Sequence, residues 1–387
     1  MQFSTLPVYQ APVEIGKDPI VSIAHWDDAY KSFEAKEYKK SLIAVLNYIN
    51  PDLLKKVDTS GDVEINQSHG SAEVKVSITD TKFKISAPFL KIEKANKVAL
   101  MRRVNEINFT PLNLAQIALK ENVLWFDFEC ELALCQPNKI YEVVREVCVY
   151  ADDYDDEFIE KYKAEFYHQV QTIPLSRANE EKVWKHFQDI AEQHSQYLEY
   201  FEQKRWRGSV WDILVISILN VANMPCINGS LRTELAEELY HLYNSNIDGD
   251  YRIDRAKNYL KNLFTKYSRE KFIANAYGVE KFISLKFRSS SKILQNEFEQ
   301  SKERIAQEIN DGSHFAAAYS IYLLLLRILY EYNLDEGHKL AITQALEQAG
   351  GKESNEALVI LQDIYVKFLE GTIDANKPKG FFGKLFG

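Results

Sequence analysis

Three short stretches of the chain alternate apolar with polar residues: 62–67 reads DVEINQ, 73–78 reads EVKVSI and 82–85 reads KFKI. Alternation with a period of two is typical of a strand that buries one side chain and exposes the next. The segments between them, 69–71 (HGS) and 79–81 (TDT), consist of residues that favour turns. The sequence therefore predicts an antiparallel meander with one solvated face.

Helical patterns surround this meander. Apolar residues from Trp26 to Ile49 recur at three-to-four spacing, which predicts two short helices in a hairpin. The elements predicted after the meander are a helix over 96–108, strands over 115–119 and 123–134, and a long helix from 138 to about 166. The order α-βββ-α-ββ-α predicts an α+β module in which helices flank an antiparallel sheet.

The second half of the chain has helical periodicity throughout and predicts an all-α domain of nine helices. Ser230, Asp335 and Ser354 are its predicted N-caps. The predicted organisation is an extended lead-in (1–23), a helical hairpin (24–55), an α+β domain (56–170), an all-helical domain (179–371), and a spacer with an amphipathic C-terminal tail (372–387).

Charge and cysteine content limit the classes of protein. The chain carries 47 basic and 56 acidic side chains, a formal net charge of -9, whereas a nucleic-acid-binding domain is normally basic. The four cysteines are too few to staple 387 residues and lack the spacing of a metal site. We therefore expect reduced thiols, no cofactor, no metal and no nucleic-acid partner.

Two features bear on the location of the protein. The first residues, MQFSTLP, contain no basic segment followed by an apolar run, so we expect no secretory signal and a cytoplasmic protein. The apolar stretches 213–219 and 316–330 are too short to span a membrane, and Arg327 interrupts the second. We expect both stretches to be buried helices.

Over about 55–166 the order of elements resembles the YbjN-like branch of the type III secretion chaperone-like fold. The residues that carry the resemblance are 99–109 (ALMRRVNEINF), which close on an Asn-Phe pair, the strands through 124–129 (LWFDFE), and 143–155, which end in an acidic, aromatic turn. The preceding hairpin is similar to a lone tetratricopeptide-type helix pair. The resemblance implies a bacterial, non-enzymatic protein that binds other proteins or supports their folding, often as a homodimer.

An acidic cluster, consisting of Asp152, Asp153, Asp155 and Asp156, lies in the predicted long helix. A run of like charges is typical of a solvated face, and it would also bind a basic partner. The sequence leaves both interpretations open.

Residues 244–255 (NSNIDGDYRIDR) mimic a calcium-binding loop, with Gly249 at the sixth position. The twelfth position, where such a loop needs a bidentate glutamate, is Arg255. We therefore expect this segment to join two helices without a metal. The eight histidines also lack the spacing of four residues that shares a metal on one helix face.

The end of the chain, 377–387, reads KPKGFFGKLFG. In a helix, Phe381, Phe382, Leu385 and Phe386 would lie on one side and Lys384 on the other. Three interpretations are open: a cap on the chain's own helical domain, a docking motif for a groove on a partner, and a weak contact with a membrane surface.

Together with the pattern of elements, the YbjN-like resemblance implies a non-enzymatic adaptor or chaperone-like protein that recognises a protein partner through the α+β module, with the tail as a second candidate. The chain contains no Gly-rich phosphate loop, nucleophile elbow or metalloprotease motif. The alternative is an enzyme or small-ligand receptor with a pocket in the helical half, lined by Trp206, Trp211 and Tyr240. An open sheet face would favour the adaptor, and a deep polar cavity would favour the alternative.

Overall fold

The structure is a computed structural model that describes residues 5–13, 19–70, 72–168 and 172–373. Its contacts divide the chain into two units. The α+β unit consists of Asp18–Thr172 and Val279–Leu285, and the helical unit consists of Met1–Lys17, Ile173–Gly278 and Lys286–Gly387. An antiparallel sheet with flanking helices, followed by a mostly helical part, confirms the predicted fold class.

The α+β unit contains the predicted order of elements. In chain order they are α1 (Ile23–Glu34), α2 (Tyr38–Ile49), β1 (Val63–His69), β2 (Ala72–Ile78), β3 (Lys82–Lys91), α3 (Lys97–Phe109), β4 (Gln116–Lys120), β5 (Val123–Glu131), α4 (Pro137–Asp153), α5 (Asp155–Tyr162) and β6 (Glu165–Phe166). The strand predicted over 123–134 ends earlier than expected, and Leu132–Leu134 form a 3-10 turn before α4.

The sheet is antiparallel with the strand order β1-β2-β3-β5-β4. β6 pairs with the last residues of β3, beyond the point where β2 pairs with it. Glu121 and Asn122 both have positive φ and form the two-residue turn between β4 and β5. Turns of this kind match the right-handed twist of the strands they join.

One face of the sheet is buried and forms the core of the unit. Its apolar residues, such as Val76, Ile85 and Phe126, are fully buried, and α4 packs against β2, β3 and β5. The α1–α2 hairpin packs in turn on α4, where the rings of Trp26 and Tyr48 each lie 6.0 Å from the ring of Tyr141. The hairpin therefore buries its apolar side without a second repeat.

Two polar side chains fix the loop and edge around β4. The side-chain amide of Asn108 donates to the carbonyl of Ile117 (2.9 Å), and the N–H of Ile117 donates to Oδ1 of Asn108 (2.7 Å). The buried carboxylate of Glu146 accepts the three consecutive N–H groups of 113–115 at 2.9–3.1 Å. Groups that an edge strand and a loop would leave unpaired are thus satisfied by side chains.

The prediction of one long helix from 138 to about 166 is wrong, because α4 ends at Asp153 and α5 begins at Asp155. Carboxylates at the C-terminal end of a helix oppose the helix dipole, whereas carboxylates in the first turn of the next helix are favoured by it. Asp155 and Glu157 occupy that first turn. The acidic run therefore favours a break between two helices.

The helical unit follows the linker strand β7 (Thr172–Pro174). Its further elements are α6 (Arg177–Lys204), α7 (Arg207–Ala222), α8 (Gly229–Tyr243), α9 (Gly249–Lys266), α10 (Arg269–Ala274), β8 (Tyr277–Val279), β9 (Phe287–Arg288), α11 (Ser291–Glu299), α12 (Lys302–Asn310), α13 (His314–Glu331), β10 (Tyr332–Asn333), α14 (Glu336–Ala349) and α15 (Ser354–Glu370). The short strands pair as β7 with β8 and β9 with β10. Among the described residues the unit thus has ten helices, one more than predicted.

The additional helix arises at Ser301, which separates α11 from α12. Its hydroxyl donates to the carbonyl of Phe298 (2.9 Å) and hydrogen-bonds with the hydroxyl of Tyr365 (3.1 Å). A serine that bonds to nearby backbone competes with the helical hydrogen bonds. Of the predicted N-caps, Asp335 is confirmed by its bond from the N–H of His338 (2.9 Å).

The N-cap predictions at Ser230 and Ser354 are wrong. The N-cap residues of α8 and α15 are Asn228 and Glu353, and neither makes a side-chain capping bond. Both predicted serines lie inside the first turn of their helices. The two predicted N-caps therefore lie one or two residues beyond the N-caps in the structure.

The two apolar stretches are the buried parts of α7 and α13, as predicted. α7 packs against α6, α8, α9 and α13, so that nearly its whole surface is covered by other helices. In the part of the chain that the structure describes, no helix has both the length and the apolar character needed to cross a membrane.

The N-terminal residues 5–13 belong to the helical unit by their contacts. Leu6 is fully buried, its N–H donates to the carbonyl of Lys352 (3.0 Å), and its carbonyl accepts the N–H of Gly351 (2.9 Å). The hydroxyl of Tyr322 donates to the carbonyl of Pro7 (3.2 Å). This extended segment is therefore part of the helical core, whereas the sequence assigned it to neither domain.

Candidate protein-binding surface

The face of the sheet opposite the core carries polar side chains, and we call it the polar face. Each of its residues alternates with a buried one, and each is half-buried or exposed. Its members include Glu64, Asn66, Glu73, Lys75, Ser77, Lys82, Lys84, Ser86, Trp125, Asp127 and Glu129. The predicted solvated face of the meander is confirmed, and it extends across β5.

An irregularity in β3 adds Lys91 to the polar face. The register with β5 shifts between Pro88 and Leu90, so that Phe89 and Leu90 are both buried. Lys91 then lies opposite Val123 and is exposed. A bulge of this kind redirects the side chains that follow it.

Two aromatic rings meet on the polar face. The ring of Trp125 lies 6.2 Å from the ring of Tyr167, which β6 positions beside β3 through a bond from the Tyr167 N–H to the carbonyl of Phe89 (3.4 Å). Nζ of Lys120 lies 5.1 Å from the Trp125 ring centroid, and Nζ of Lys91 lies 5.4 Å from that of Tyr167. We call these four residues the Trp125–Tyr167 patch.

Cation–π geometry explains how the patch is held. A lysine ammonium within about 6 Å of a ring centroid is attracted to the ring face. The ammonium groups of Lys91 and Lys120 both lie within this distance of a ring centroid. The patch therefore combines two large apolar surfaces with two cations.

Ion pairs neutralise part of the surrounding charge. Lys82 pairs with Glu129 (2.5 Å) and Lys120 with Asp127 (2.5 Å), and Nε2 of His168 lies 2.6 Å from a carboxylate oxygen of Glu73. The hydrogen bond between the first two lowers the pKa of Glu129 and raises the pKa of Lys82. The Lys82–Glu129 pair is solvated and contributes little to stability, whereas both carboxylate oxygens of Asp127 are buried.

Three lysines of the polar face lie outside its ion pairs. Among the described residues, Lys75, Lys84 and Lys91 have no carboxylate oxygen within 4.0 Å. Lys75 and Lys84 lie on neighbouring strands, two positions apart in the register of β2 and β3. The residues named for the polar face and the patch carry five lysines and four carboxylates, so their charge is close to balanced although the chain as a whole is acidic.

The acidic cluster is only partly described. Asp155 is buried, with 6% of its surface exposed, and begins α5. Its carboxylate is therefore not part of an exposed docking patch, contrary to that interpretation. The side chains of Asp152, Asp153 and Asp156 lie outside the described part of the structure, so their role stays a prediction.

The tail residues Phe381, Phe382, Leu385 and Phe386 also lie outside the described residues, which end at Ile373. The three interpretations of the tail stay open as predictions.

The structure does not bring together the three residues of the predicted alternative pocket. Trp206 is 44% exposed and packs on Phe201, Tyr240 is 69% exposed, and Trp211 lies against Tyr243 and Arg252. These are three separate surface or near-surface positions. The prediction of a pocket lined by these three residues is wrong.

A small cleft is present elsewhere in the helical unit. It is lined by residues including Gln10, His186, Asp189 and Gln193, and its cavity volume is about 10 Å³. A space of this size holds about one water molecule. Burial also raises the pKa of Asp212 on α7 to about 7, but this carboxyl does not line the cleft.

The segment that mimics a calcium loop begins α9. The carboxylate of Asp248 accepts the N–H groups of Asp250 (3.0 Å) and Tyr251 (3.1 Å), and Nε of Arg255 donates to Glu238 (3.0 Å). The segment therefore joins α8 to α9, as expected. In the described part of the chain, no three His, Cys, Asp or Glu side chains are placed to hold a metal ion.

No family model matches the chain, and no curated protein matches it. The resemblance to the YbjN-like branch therefore stays a prediction.

The sequence contained part of the signal for the Trp125–Tyr167 patch. Alternation along β5 places Trp125 on the face opposite Phe126. Tyr167 follows a two-residue strand that has no recognisable pattern, and Lys91 reaches the polar face only because of the bulge. Neither residue could be assigned to this face by periodicity.

Proposed function

We propose that the chain is a non-enzymatic, protein-binding adaptor or chaperone-like protein whose α+β unit binds an extended acidic segment of a partner on its polar face. The observation that carries this proposal is the Trp125–Tyr167 patch, in which two half-buried rings lie between Lys91 and Lys120. Tryptophan and tyrosine dominate the energetics of protein interfaces because they offer large apolar area and a polar edge.

The charge of the polar face supports an acidic partner. Lys75, Lys84 and Lys91 lie outside the ion pairs of the face, although Lys84 is opposite Glu129 and Lys91 is opposite Glu165 in the sheet. Carboxylates of an acidic segment would pair with these three lysines at short range and select that segment over a basic one. Complementary charge increases the association rate and selects among partners.

The shape of the face supports an extended segment. An exposed sheet surface is shallow, and it offers rows of side chains along and across the strands in place of an enclosed cavity. A small molecule bound there would remain mostly exposed to water, whereas an extended peptide would contact side chains of several strands. The three-residue pocket of the enzyme or receptor alternative is not formed, so the open face is the better candidate.

Site-specific photo-cross-linking of the full chain in its own cells tests this proposal. A photo-reactive residue at position 86, on the polar face, should capture acidic proteins, and Trp125→Ala should reduce that capture at least tenfold. A photo-reactive residue at position 142, on the exposed side of α4, is the control. Equal capture at both positions, or capture that Trp125→Ala leaves unchanged, would contradict the proposal.

The tail is proposed as a second binding element. If its phenylalanines dock on a partner, removal of 377–387 leaves the melting temperature unchanged and reduces partner capture. If they cap the chain's own helices, the same truncation lowers the melting temperature, since unburying several phenylalanines costs several kcal/mol. Binding to anionic vesicles tests the third interpretation. If the tail contacts a membrane surface, the full chain binds the vesicles and the truncated chain does not.

We also propose a reduced, cytoplasmic protein, because none of the four cysteines forms a disulfide bond.

A further inference from the structure

Two cysteines that the sequence does not pair lie together at the end of β5. Sγ of Cys130 is 3.1 Å from Sγ of Cys135. A disulfide bond is about 2.05 Å long, so the two sulfur atoms are about 1 Å further apart than bonded partners. The backbone already brings both thiols to one place, and small side-chain movements close the remaining distance.

The surroundings give the two thiols different roles. Cys130 is half-buried, whereas Cys135 is fully buried and donates a hydrogen bond to the carbonyl of Glu131 (3.2 Å). Burial raises the pKa of the Cys135 thiol well above its usual value. The thiolate is the nucleophile in disulfide chemistry, so Cys130 is the thiol that meets an external reagent first.

The other two cysteines provide a contrast within the same chain. Cys148 and Cys226 are both 0% exposed, and burial raises the pKa of Cys226 to about 11. A thiol that is buried and protonated reacts slowly with external oxidants.

We infer that Cys130 and Cys135 form a reversible redox pair, a modification site at which a low-molecular-weight disulfide such as oxidised glutathione converts the dithiol to an internal disulfide. The Cys130 thiolate attacks one sulfur of the reagent, its S–S bond breaks, and one thiolate leaves and is protonated. Cys135 then loses its proton and attacks Sγ of Cys130, and the second thiolate leaves. The net reaction consumes one small disulfide and yields two small thiols.

The position of the pair determines what the disulfide changes. Cys130 pairs with Phe83 in the sheet, and Cys135 lies directly before the N-cap of α4. The bond would close the short segment 130–135 and fix the last residues of β5 to the start of the helix that covers the core. Reduction would release that restraint, and the inference does not depend on the proposed partner.

The test incubates the full native chain with oxidised glutathione, alkylates the remaining thiols and maps them by mass spectrometry. We expect a Cys130–Cys135 disulfide while Cys148 and Cys226 stay alkylatable, and full reversal by dithiothreitol. In Cys135→Ser, a glutathione adduct should accumulate at Cys130 because the resolving thiol is missing. In Cys130→Ser, Cys135 should remain unmodified.

Three results would overturn the inference. One is a wild-type chain that keeps glutathione on Cys130 without forming the internal bond. The second is oxidation of Cys148 or Cys226 as fast as that of Cys130. The third is a lack of reaction at all four thiols. The wild-type measurement suffices to decide, so the result holds even where a serine variant folds poorly.

Discussion

The backbone N–H of Phe282 donates a hydrogen bond to Nδ1 of His69, over 3.1 Å and across 213 residues of sequence. The N–H of Gly70 donates in the same region to the carbonyl of Glu280 (3.0 Å). Because Nδ1 of His69 accepts a hydrogen bond, the neutral ring carries its proton on Nε2. Phe282 and Ile283 are buried in the core of the α+β unit, which therefore contains side chains from both halves of the chain.

Phe282→Ala is expected to destabilise the α+β unit by about 3–5 kcal/mol, the usual cost of removing a fully buried phenylalanine. Amide hydrogen exchange should show the loss of protection in β1 and β2, beside His69. Phe287→Ala is the matched control, since Phe287 is only five residues away and is 56% exposed. Equal effects of the two substitutions would show that Phe282 does not complete this core.

Glu146→Ala is expected to destabilise the chain by about 2–5 kcal/mol, because three consecutive N–H groups of 113–115 would lose their acceptor. Glu146→Gln retains one acceptor oxygen and should cost less. Glu142→Ala, on the exposed side of the same helix, should be nearly neutral. Urea unfolding measures all three variants, and a neutral Glu146→Ala would contradict this description of the loop.

His194 predicts a dependence of stability on pH. Its ring is buried and hydrogen-bonds with Ser217 (2.9 Å), and since the Ser217 hydroxyl donates to the carbonyl of Ile213 (2.7 Å), Nδ1 of His194 is the donor. Burial lowers the pKa of His194 from 6.5 to about 4. The folded state thus favours the neutral ring. The contribution of His194 to the free energy of unfolding is fully present above pH 6.5 and is lost as the pH falls towards 4.

The expected loss over that interval is about 3 kcal/mol, from a shift of roughly two to three pH units at 1.36 kcal/mol each. His194→Gln keeps a donor for Ser217 but cannot titrate, so its stability should fall less between pH 6.5 and 4. His314→Gln, which changes an exposed histidine, should follow the wild type. If the stability of His194→Gln and of the wild type depended on pH in the same way, this prediction would be wrong.

Local patterns predicted the elements well where one pattern dominates. The alternation in 62–67, 73–78 and 82–85 predicted β1, β2 and β3, and the apolar runs around Leu219 and Leu325 predicted the buried helices α7 and α13. Errors arose where two effects compete. At Tyr154 and Ser301 the apolar period continues, but helix-dipole and side-chain hydrogen bonding divide the helix.

Contacts between distant residues had no local signal. The bond between His69 and Phe282, the burial of Leu6 among helices and the meeting of Trp125 with Tyr167 each depend on chain reversals that periodicity does not encode. The same holds for Cys130 and Cys135, where the 3-10 turn between β5 and α4 sets the distance. The candidate site was therefore predicted as a solvated face but not as a specific set of residues.

The affinity of the full chain for an acidic peptide tests the central claim most directly. The probe is a fluorescent peptide of roughly twelve residues, selected from a random library on the immobilised wild-type chain, and its dissociation constant is measured by anisotropy at low and high salt. We predict that selected peptides are acidic, that salt weakens their binding, and that Trp125→Ala weakens it about thirtyfold or more, the effect of losing a hot-spot residue. Leu119→Ala, on the same hairpin and 46% exposed, should change it less than twofold. Selection of peptides without acidic character, or equal affinities for wild type and Trp125→Ala, would contradict the claim that the polar face binds an acidic protein segment.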